Sequence, residues 1–598
     1  MDYVGLYLAW DNRMFKIIKK LLKLLDRKQK MSMVVLVFMM LIGAVLETLG
    51  VSMILPVMNV VLEENAVSNH VYLQWICDLF KVPYSDTKHL MIVVMVGLVM
   101  AFVIKNVYLF FQQKVMLKFV FTNQFSTSRR MMINFMQRPY EYYLNADTAV
   151  IQRTITSDVI NMYGLIQALL SLTSEAIVFI CLIGVSFLAD VWMTITVAVL
   201  LILVLGIIMF VLKPVMKKAG EQNQDYYSGL YKWIEQAVFG IKEIKIANKE
   251  GYFIREYSHC GSGYVNAVQR YNLFNATPRL LIETVSIAGM ILYIMVQLLN
   301  GSAVIDIMPQ MTLLALVAMR LIPCANRINN YMTSIAYFEP FLMAVRDNLQ
   351  EEIKDENIDY SESTYEKADN VEKMPITQGI ALKNITYKYP NTEVKIFDDA
   401  SMEIPIGKSI GIVGTTGSGK TTVVDILLGL LKLQSGQILA DDTSIFDNYH
   451  GYLKNVGYIP QTIFMIDDTI RKNVAFGYSD DEIDDEKVWY ALKQAQLDEF
   501  VRSLPDGLNS GIGERGIRIS GGQRQRIGIA RALFEDPEVL IMDEATSALD
   551  NDTEKAIMES INYLHGKKTL IIIAHRLQTI EQCDNVYRVQ NGKITIER

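Results

Sequence analysis

The sequence predicts a multi-domain membrane protein, with an all-α transmembrane domain of six helices followed by an α/β P-loop domain. Three observations carry that reading. Apolar runs long enough to cross a bilayer crowd into the first 345 residues and then stop. Beyond them, Gly414-Thr415-Thr416-Gly417-Ser418-Gly419-Lys420-Thr421 follows a strand-like run, Ser409 to Val413, and opens an apolar helix-like run, Thr422 to Leu431. Later, Val539-Leu540-Ile541-Met542-Asp543-Glu544 reads as a buried strand ending in two acids.

The totals set the bounds. A chain of 598 residues is too long for one core. Hydrophobic residues make up 51% of it, and the net charge of −7 averages two unlike halves. No basic stripe with interleaved aromatics supports a nucleic-acid role. The five cysteines are scattered without metal or redox spacing, so free thiols are expected. No cleavable signal peptide is expected, because the first long apolar run is itself long enough to span.

Residues 1–30 read as an interfacial elbow helix. Phe15, Ile18, Leu22 and Leu25 recur at helical spacing among Lys16, Lys19, Lys20 and Lys23, which suits the anionic face of a bilayer. Residues 31–345 form the transmembrane domain. Its spans are expected near Met33–Leu62, His89–Val115, Gln167–Leu188, Val191–Leu212, Thr277–Leu299 and Ile307–Thr333. Lys and Arg crowd before the first span, between the second and third, and between the fourth and fifth. The other connections are poor in basic residues, so both termini are expected in the cytoplasm. The two basic connections are long, about fifty to sixty residues each. Their segments Tyr140–Ile160 and Tyr226–Glu250 read as helical stalks whose tips dock on the C-terminal domain. On the other side, Val71, Leu73, Ile76, Leu79 and Phe80 suit a short amphipathic helix against lipid, with a packed loop as the alternative. Residues 346–375 are an acidic, polar linker, and 376–598 form the soluble α/β domain.

In that domain the glycines let backbone N–H groups face phosphate oxygens, and the helix N-terminus adds partial positive charge there. Lys420 would reach the β- and γ-phosphates, and Thr421 would hold Mg²⁺. Asp543 supports the same metal, and Glu544 polarises the attacking water. Between these motifs, Ile519-Ser520-Gly521-Gly522-Gln523 leads an Arg-rich helix and can present further N–H groups to phosphate. Gln461 follows the strand Val456–Ile459, His575 ends the strand Thr569–Ala574, and Tyr389 offers an aromatic face for adenine.

With these motifs in order, Ile376–Arg598 resembles the nucleotide-binding domain of an ABC transporter, and the whole chain resembles an exporter-type half-transporter. The resemblance implies ATP and Mg²⁺ as cofactors and ATP hydrolysis as the activity. It makes Tyr389 the adenine stacker, Gly414–Thr422 the phosphate loop and Gln461 the Q-loop, which with Thr421 and Asp543 serves Mg²⁺. It makes Ser520–Gln523 the signature, Asp550 the D-loop, and Glu544, His575 and Gln461 the catalytic residues. Ile519 stands where the family has Leu, and Gly513–Gly516 resembles the exporter X-loop. In the family a signature loop faces the P-loop of a second domain. One P-loop per chain therefore implies a homodimer, with a heterodimer as the alternative.

The cargo must be read from the spans. Arg320 and Arg327 are seven apart on the sixth, on one face and about 10 Å apart, with Pro323 between them to kink the helix. Arg279 opens the fifth span and Lys105 lies within the second. Four cations toward one cavity suit an anionic, phosphate-bearing substrate; alternatively Glu47, Glu175 or Glu283 pairs with them. Glu47–Pro56 and Arg320–Arg327 resemble bacterial lipid-linked oligosaccharide flippases. That resemblance implies a polyprenyl-diphosphate glycan as substrate, carried across the cytoplasmic (inner) membrane for protein glycosylation or surface polysaccharide assembly. Lys105 stands where that family has Arg. The alternative is an exporter of another lipid, a drug or a peptide; an aromatic, cation-free cavity would favour drugs. Only some thirty residues precede the first span, so the N-terminal protease module of many peptide exporters is not expected.

Overall fold

A computed structural model describes residues 16–52, 71–80, 87–189, 191–299, 304–350, 371–543, 564–573 and 580–598, with a few single positions between them. It divides into two compact units, Met1–Met136 with Ala146–Glu352, and Gln137–Asn145 with Ile353–Arg598.

The first unit is helical. Its elements are α1 (Arg27–Ser52), α2 (Val71–Phe80), α3 (Thr87–Met136), then α5 (Thr148–Arg153), α6 (Val159–Ala189), α7 (Val191–Phe239), α8 (Ile241–Ala247), α9 (Glu250–Leu299) and α10 (Val304–Gln350); α4 (Tyr140–Tyr143) belongs to the second unit. Helices of 47 to 50 residues are far longer than a bilayer requires. That length leaves room for the expected stalks. Among the described residues, four helices are long and apolar enough to cross a membrane: Arg27–Leu49, Lys88–Met136, Thr148–Gly184 and Glu250–Val296. The expected fourth and sixth spans lie on α7 and α10, many of whose side chains fall outside the described set. The helix α10 continues as one element past Pro323, into the start of the expected linker at Gln350.

Residues 16–24 are helical, but the buried stripe is Ile17, Leu21, Leu24 and Leu25. Of the stripe expected on the bilayer, Ile18 and Leu22 are exposed, whereas Leu25 packs inward. Two apolar stripes satisfy the helical period, and the one through Ile17, Leu21 and Leu24 packs on the protein.

A π-helical turn at Thr154–Asp158 joins α5 to α6. Asp158 is fully buried there. Its carboxylate accepts from Arg153 Nε at 3.2 Å and from Gln224 Nε2 at 3.1 Å. Arg153 Nη1 donates in turn to the Gln224 carbonyl (3.0 Å) and Ser228 Oγ (2.7 Å), tying the turn to α7. Burial pushes the Asp158 carboxyl up, against the pull of Arg153. A buried carboxylate held by Arg153 and Gln224 is costly to break on one side only.

The second unit holds two sheets. An antiparallel sheet has the order β2-β1-β4-β5, from β1 (Gly379–Tyr387), β2 (Phe397–Pro405), β4 (Ser435–Ala440) and β5 (Thr443–Ser444). The other has the order β10-β9-β3-β8-β7-β6. It comprises β3 (Ser409–Val413), β6 (Val456–Ile459), β7 (Val539–Asp543), β8 (Thr569–Ile573), β9 (Asn585–Gln590) and β10 (Lys593–Ile596). All its pairings are parallel except β9 with β10. Ile410, Ile412, Ile541 and Ile571 are fully buried, as a parallel sheet covered on both faces requires. Each such side chain contributes about 1.5–3 kcal/mol.

Candidate functional site

The strands β3, β8, β7 and β6 lie side by side and run the same way. Their carboxyl ends share one edge, where parallel α/β sheets bind ligands. The loop Gly414–Gly419 leaves β3 there, Asp543 ends β7, and Gln461 lies two residues beyond β6. Glu544 and Asp550, which follow β7, and His575, which follows β8, lie outside the described residues.

The loop closes on α11 (Lys420–Leu427) through backbone that only glycine adopts freely: φ is +79° at Gly417 and +103° at Gly419. A Cβ on Gly419 would come within 2.9 Å of Ile396 Cγ2 and 3.0 Å of Phe397 Cζ. Lys420 is buried, and its ammonium donates to the carbonyls of Gly414 (3.1 Å) and Thr415 (3.2 Å), which holds the charge inside the curl. Ser418 Oγ is buried and has no hydrogen-bond partner among the described residues. A phosphate oxygen would satisfy it, so the cradle fits the group. Thr416 and Thr421 are exposed, leaving the Thr421 hydroxyl accessible to a cation.

Tyr389 is placed by the β1 end of the antiparallel sheet. Its hydroxyl lies 3.0 Å from Thr422 Oγ1, and its ring meets Tyr387 edge-on at 5.2 Å. The expected adenine platform is thus fixed to the first turn of the P-loop helix.

Ser520 caps α12 (Gly521–Leu533). Its Oγ accepts from Gln523 N–H at 3.2 Å, while Gln523 Oε1 accepts from Ser520 N–H at 2.8 Å. This capping box commits both side chains to each other and leaves Gly521 exposed at the helix N-terminus. The signature therefore faces outward within one chain. Arg515, in the X-loop segment, holds a left-handed φ of +54°, a conformation that costs energy for a side chain with a Cβ.

Two carboxylates escaped the sequence reading. Asp425 interrupts the apolar helix α11, and burial, then the neighbouring Asp543, pushes its carboxyl up to about 6. An acid inside an otherwise apolar P-loop helix was the available signal. Glu141, on α4, accepts from the Tyr387 hydroxyl and from Lys432 N–H, each at 3.1 Å. Burial, then Glu141, pushes the Tyr387 hydroxyl up. Of the two expected docking tips, residues 137–145 group with this C-terminal unit, whereas Tyr226–Glu250 groups with the helical one.

The cations of the helical unit differ among themselves. Arg327 Nε contacts Glu175 Oε1 at 2.6 Å, so this arginine takes the paired alternative. Lys105 is buried with its ammonium 4.9 Å above the Phe102 ring. Arg279 is exposed, and the Arg320 side chain lies outside the described set.

Two family models match: the ABC transporter transmembrane region over residues 33–319, and the ABC transporter domain over residues 397–547. An ATP-dependent lipid A-core flippase of Shewanella frigidimarina is 42% identical over 221 residues, covering 37% of this chain and 36% of that protein. A protein of the same name from Desulfotalea psychrophila is 27% identical over 461 residues, covering 76% and 78%. The match thus spans only about a third of the first of these relatives, and most of the second at lower identity. A bacterial Atm1-family ABC exporter with ATP bound superposes with a TM-score of 0.73 at 18% identity, covering 95% of this chain and 94% of the other. With a transmembrane region first, an ABC domain behind it and an exporter fold throughout, the chain has the architecture of an ABC exporter half-transporter.

Proposed function

We propose that this chain is one half of an ATP-driven flippase that moves a polyprenyl-diphosphate-linked glycan from the inner to the outer leaflet of the bacterial cytoplasmic membrane. Two copies form the working unit, with both termini in the cytoplasm. ATP binds between the P-loop of one copy and the signature of the other, which is why Gly521 faces outward. Thr421, Gln461 and Asp543 would hold Mg²⁺, which neutralises charge on the transferring phosphoryl group. Glu544 orients the water, His575 assists it, and Asp550 lines the closing interface. The exposed apolar tip formed by Val238, Phe239, Ile241 and Ile246 suits burial against the second copy.

The observation that carries the lipid-linked substrate is α2. Leu73 and Cys77 are buried, whereas Val71, Trp75 and Leu79 are 77%, 71% and 63% exposed along one stripe. A ten-residue helix presenting that stripe suits an acyl or prenyl chain rather than water. Relatives named as flippases of a lipid support the same class, and also keep open a different lipid as cargo. Arg320, Arg279 and Lys105 are assigned to the diphosphate. Arg327, already paired with Glu175, helps to position the helix.

Reconstitution in liposomes tests the reading. Arg320→Ala is expected to lower glycan-lipid flipping about tenfold while ATP hydrolysis without substrate continues; unchanged flipping removes Arg320 from the path. Glu544→Gln is expected to retain ATP and lose at least about 100-fold in turnover; normal steady-state hydrolysis contradicts its role.

A further inference from the structure

The helical unit contains a cavity of about 450 Å³, within the ~300–1,000 Å³ range of small-molecule sites. It is built from the cytoplasmic extensions of α6, α7, α9 and α10, outside all the expected spans, and the π-helical turn contributes Thr156 and Ser157 to its wall. None of its lining residues is charged. Ten of the thirteen carry a hydroxyl or a carboxamide, leaving only Ile160, Val268 and Phe338 purely apolar.

Tyrosine dominates the wall. Tyr227 and Tyr264 lie with ring centroids 5.4 Å apart and tilted by 37°, and Tyr231 meets Tyr227 edge-on at 5.2 Å. Tyr271 and Tyr337 stack at 4.1 Å. The carboxamides are held in place by their own donors. Asn161 Nδ2 donates to the Ser157 carbonyl (2.9 Å), Asn223 Nδ2 to the Tyr337 hydroxyl (2.8 Å), and Asn272 Nδ2 to the Val268 carbonyl (3.0 Å). Fixing the nitrogen also fixes the amide oxygen as an acceptor.

We infer that this chamber binds the uncharged saccharide portion of the transported molecule on the cytoplasmic side. The inference rests on the flippase reading above and adds to it a glycan site separate from the arginines. The chemistry suits carbohydrate. A pyranose has an apolar face of C–H bonds that stacks on the electron-rich face of a tyrosine ring. Its rim of hydroxyls needs both donors and acceptors, which tyrosine hydroxyls and fixed amide oxygens supply. The chamber is aromatic and free of cations, the character expected of a drug site. It differs from one in polarity, because ten of its thirteen lining side chains can hydrogen-bond, and an apolar drug would use none of the acceptor capacity that the fixed amide oxygens and tyrosine hydroxyls still offer. It equally differs from a diphosphate site, which would require cationic donors. Glycan and diphosphate are thus sorted into separate places along the helices.

The test uses the full chain in lipid nanodiscs and two free trisaccharides, maltotriose and chitotriose, which carry neither lipid nor phosphate. Saturation-transfer NMR is expected to detect at least one of them with a Kd on the order of 1 mM. Tyr264→Leu and Asn272→Ala should each weaken binding about three- to tenfold, and Tyr264→Phe should weaken it less because it keeps the ring. Dimer elution and helix content serve as folding controls. The inference is overturned by absence of transfer from both sugars at about 10 mM, or by equal transfer in wild type and in correctly folded variants. It is also overturned if rhodamine 6G, and no sugar, loses binding in the variants, because that identifies a drug chamber. Liposome flipping separates this site from the flippase reading. Trisaccharide binding without glycan-lipid flipping overturns the flippase and keeps the chamber, whereas flipping without trisaccharide binding does the reverse.

Discussion

Asp441 shows how one side chain secures the C-terminal unit. Its carboxylate accepts from the backbone N–H groups of Thr377, Gln378 and Gly379 and from the Thr377 hydroxyl, anchoring the chain where it enters β1. Burial pushes its pKa up, but these hydrogen bonds outweigh it and hold the pKa near about 2, against an ordinary 3.8. A depressed carboxylate stabilises the fold above its unfolded pKa, and that contribution is lost as pH falls from 3.8 toward about 2. Asp441→Asn is therefore expected to lower the apparent thermal midpoint of the full chain at pH 7. Solvent exposure limits the effect to about 1 kcal/mol, and the gap from wild type should narrow in strong acid. A gap that does not change with pH would contradict the charge-based account. At this scale the sequence was informative only where chemistry demands a residue type. The left-handed turns at Gly417 and Gly419 and the strand-end position of Asp543 were legible because a glycine-rich turn between a strand and a helix, and an acid closing an apolar strand, each restrict the local backbone. Asp441, Asp425 and Glu141 were not legible, because their partners lie far away in sequence and were met only on folding.

At the scale of elements, α4 is four residues long, yet it reaches two parts of the nucleotide-binding core. Glu141 bridges Tyr387, at the end of β1 next to the adenine platform, and Lys432, beyond the P-loop helix. Losing both hydrogen bonds to a carboxylate should loosen that junction by about 1–3 kcal/mol. Glu141→Ala is expected to reduce substrate-stimulated ATPase activity about threefold or more, while Glu141→Gln, which retains an acceptor oxygen, keeps most of it. Equal behaviour of both variants would show that Glu141 does not transmit the signal. For α2, Trp75→Glu should reduce stimulation by lipid-linked substrate by placing a charge on the lipid-facing stripe; full stimulation would restore the packed-loop alternative. The extent of α2 was legible from its composition, but its exposed face was not. Leu73, expected to share a side with Val71 and Leu79, instead packs with Cys77, Leu90 and Val94. In the N-terminal helix the second apolar stripe, through Ile17 and Leu21, was likewise not read from the sequence, because its partners lie on other helices.

For the whole molecule, an outward-facing signature and a self-contained phosphate cradle fit the proposed pairing of two copies. Its architecture was legible because apolar length and the order of P-loop and strand-end acids each restrict the fold independently. The tyrosine chamber was not, since its wall gathers residues from position 156 to position 338 across four helices and the π-helical turn. The proposed division of labour assigns diphosphate to the arginines, prenyl chain to α2 and sugar to the chamber. ATP-dependent translocation of a defined polyprenyl-diphosphate glycan by the purified protein in liposomes tests this account most directly. The account predicts movement that requires ATP and falls in Arg320→Ala. ATP hydrolysis with no movement of that lipid, or movement indifferent to Arg320, would contradict it.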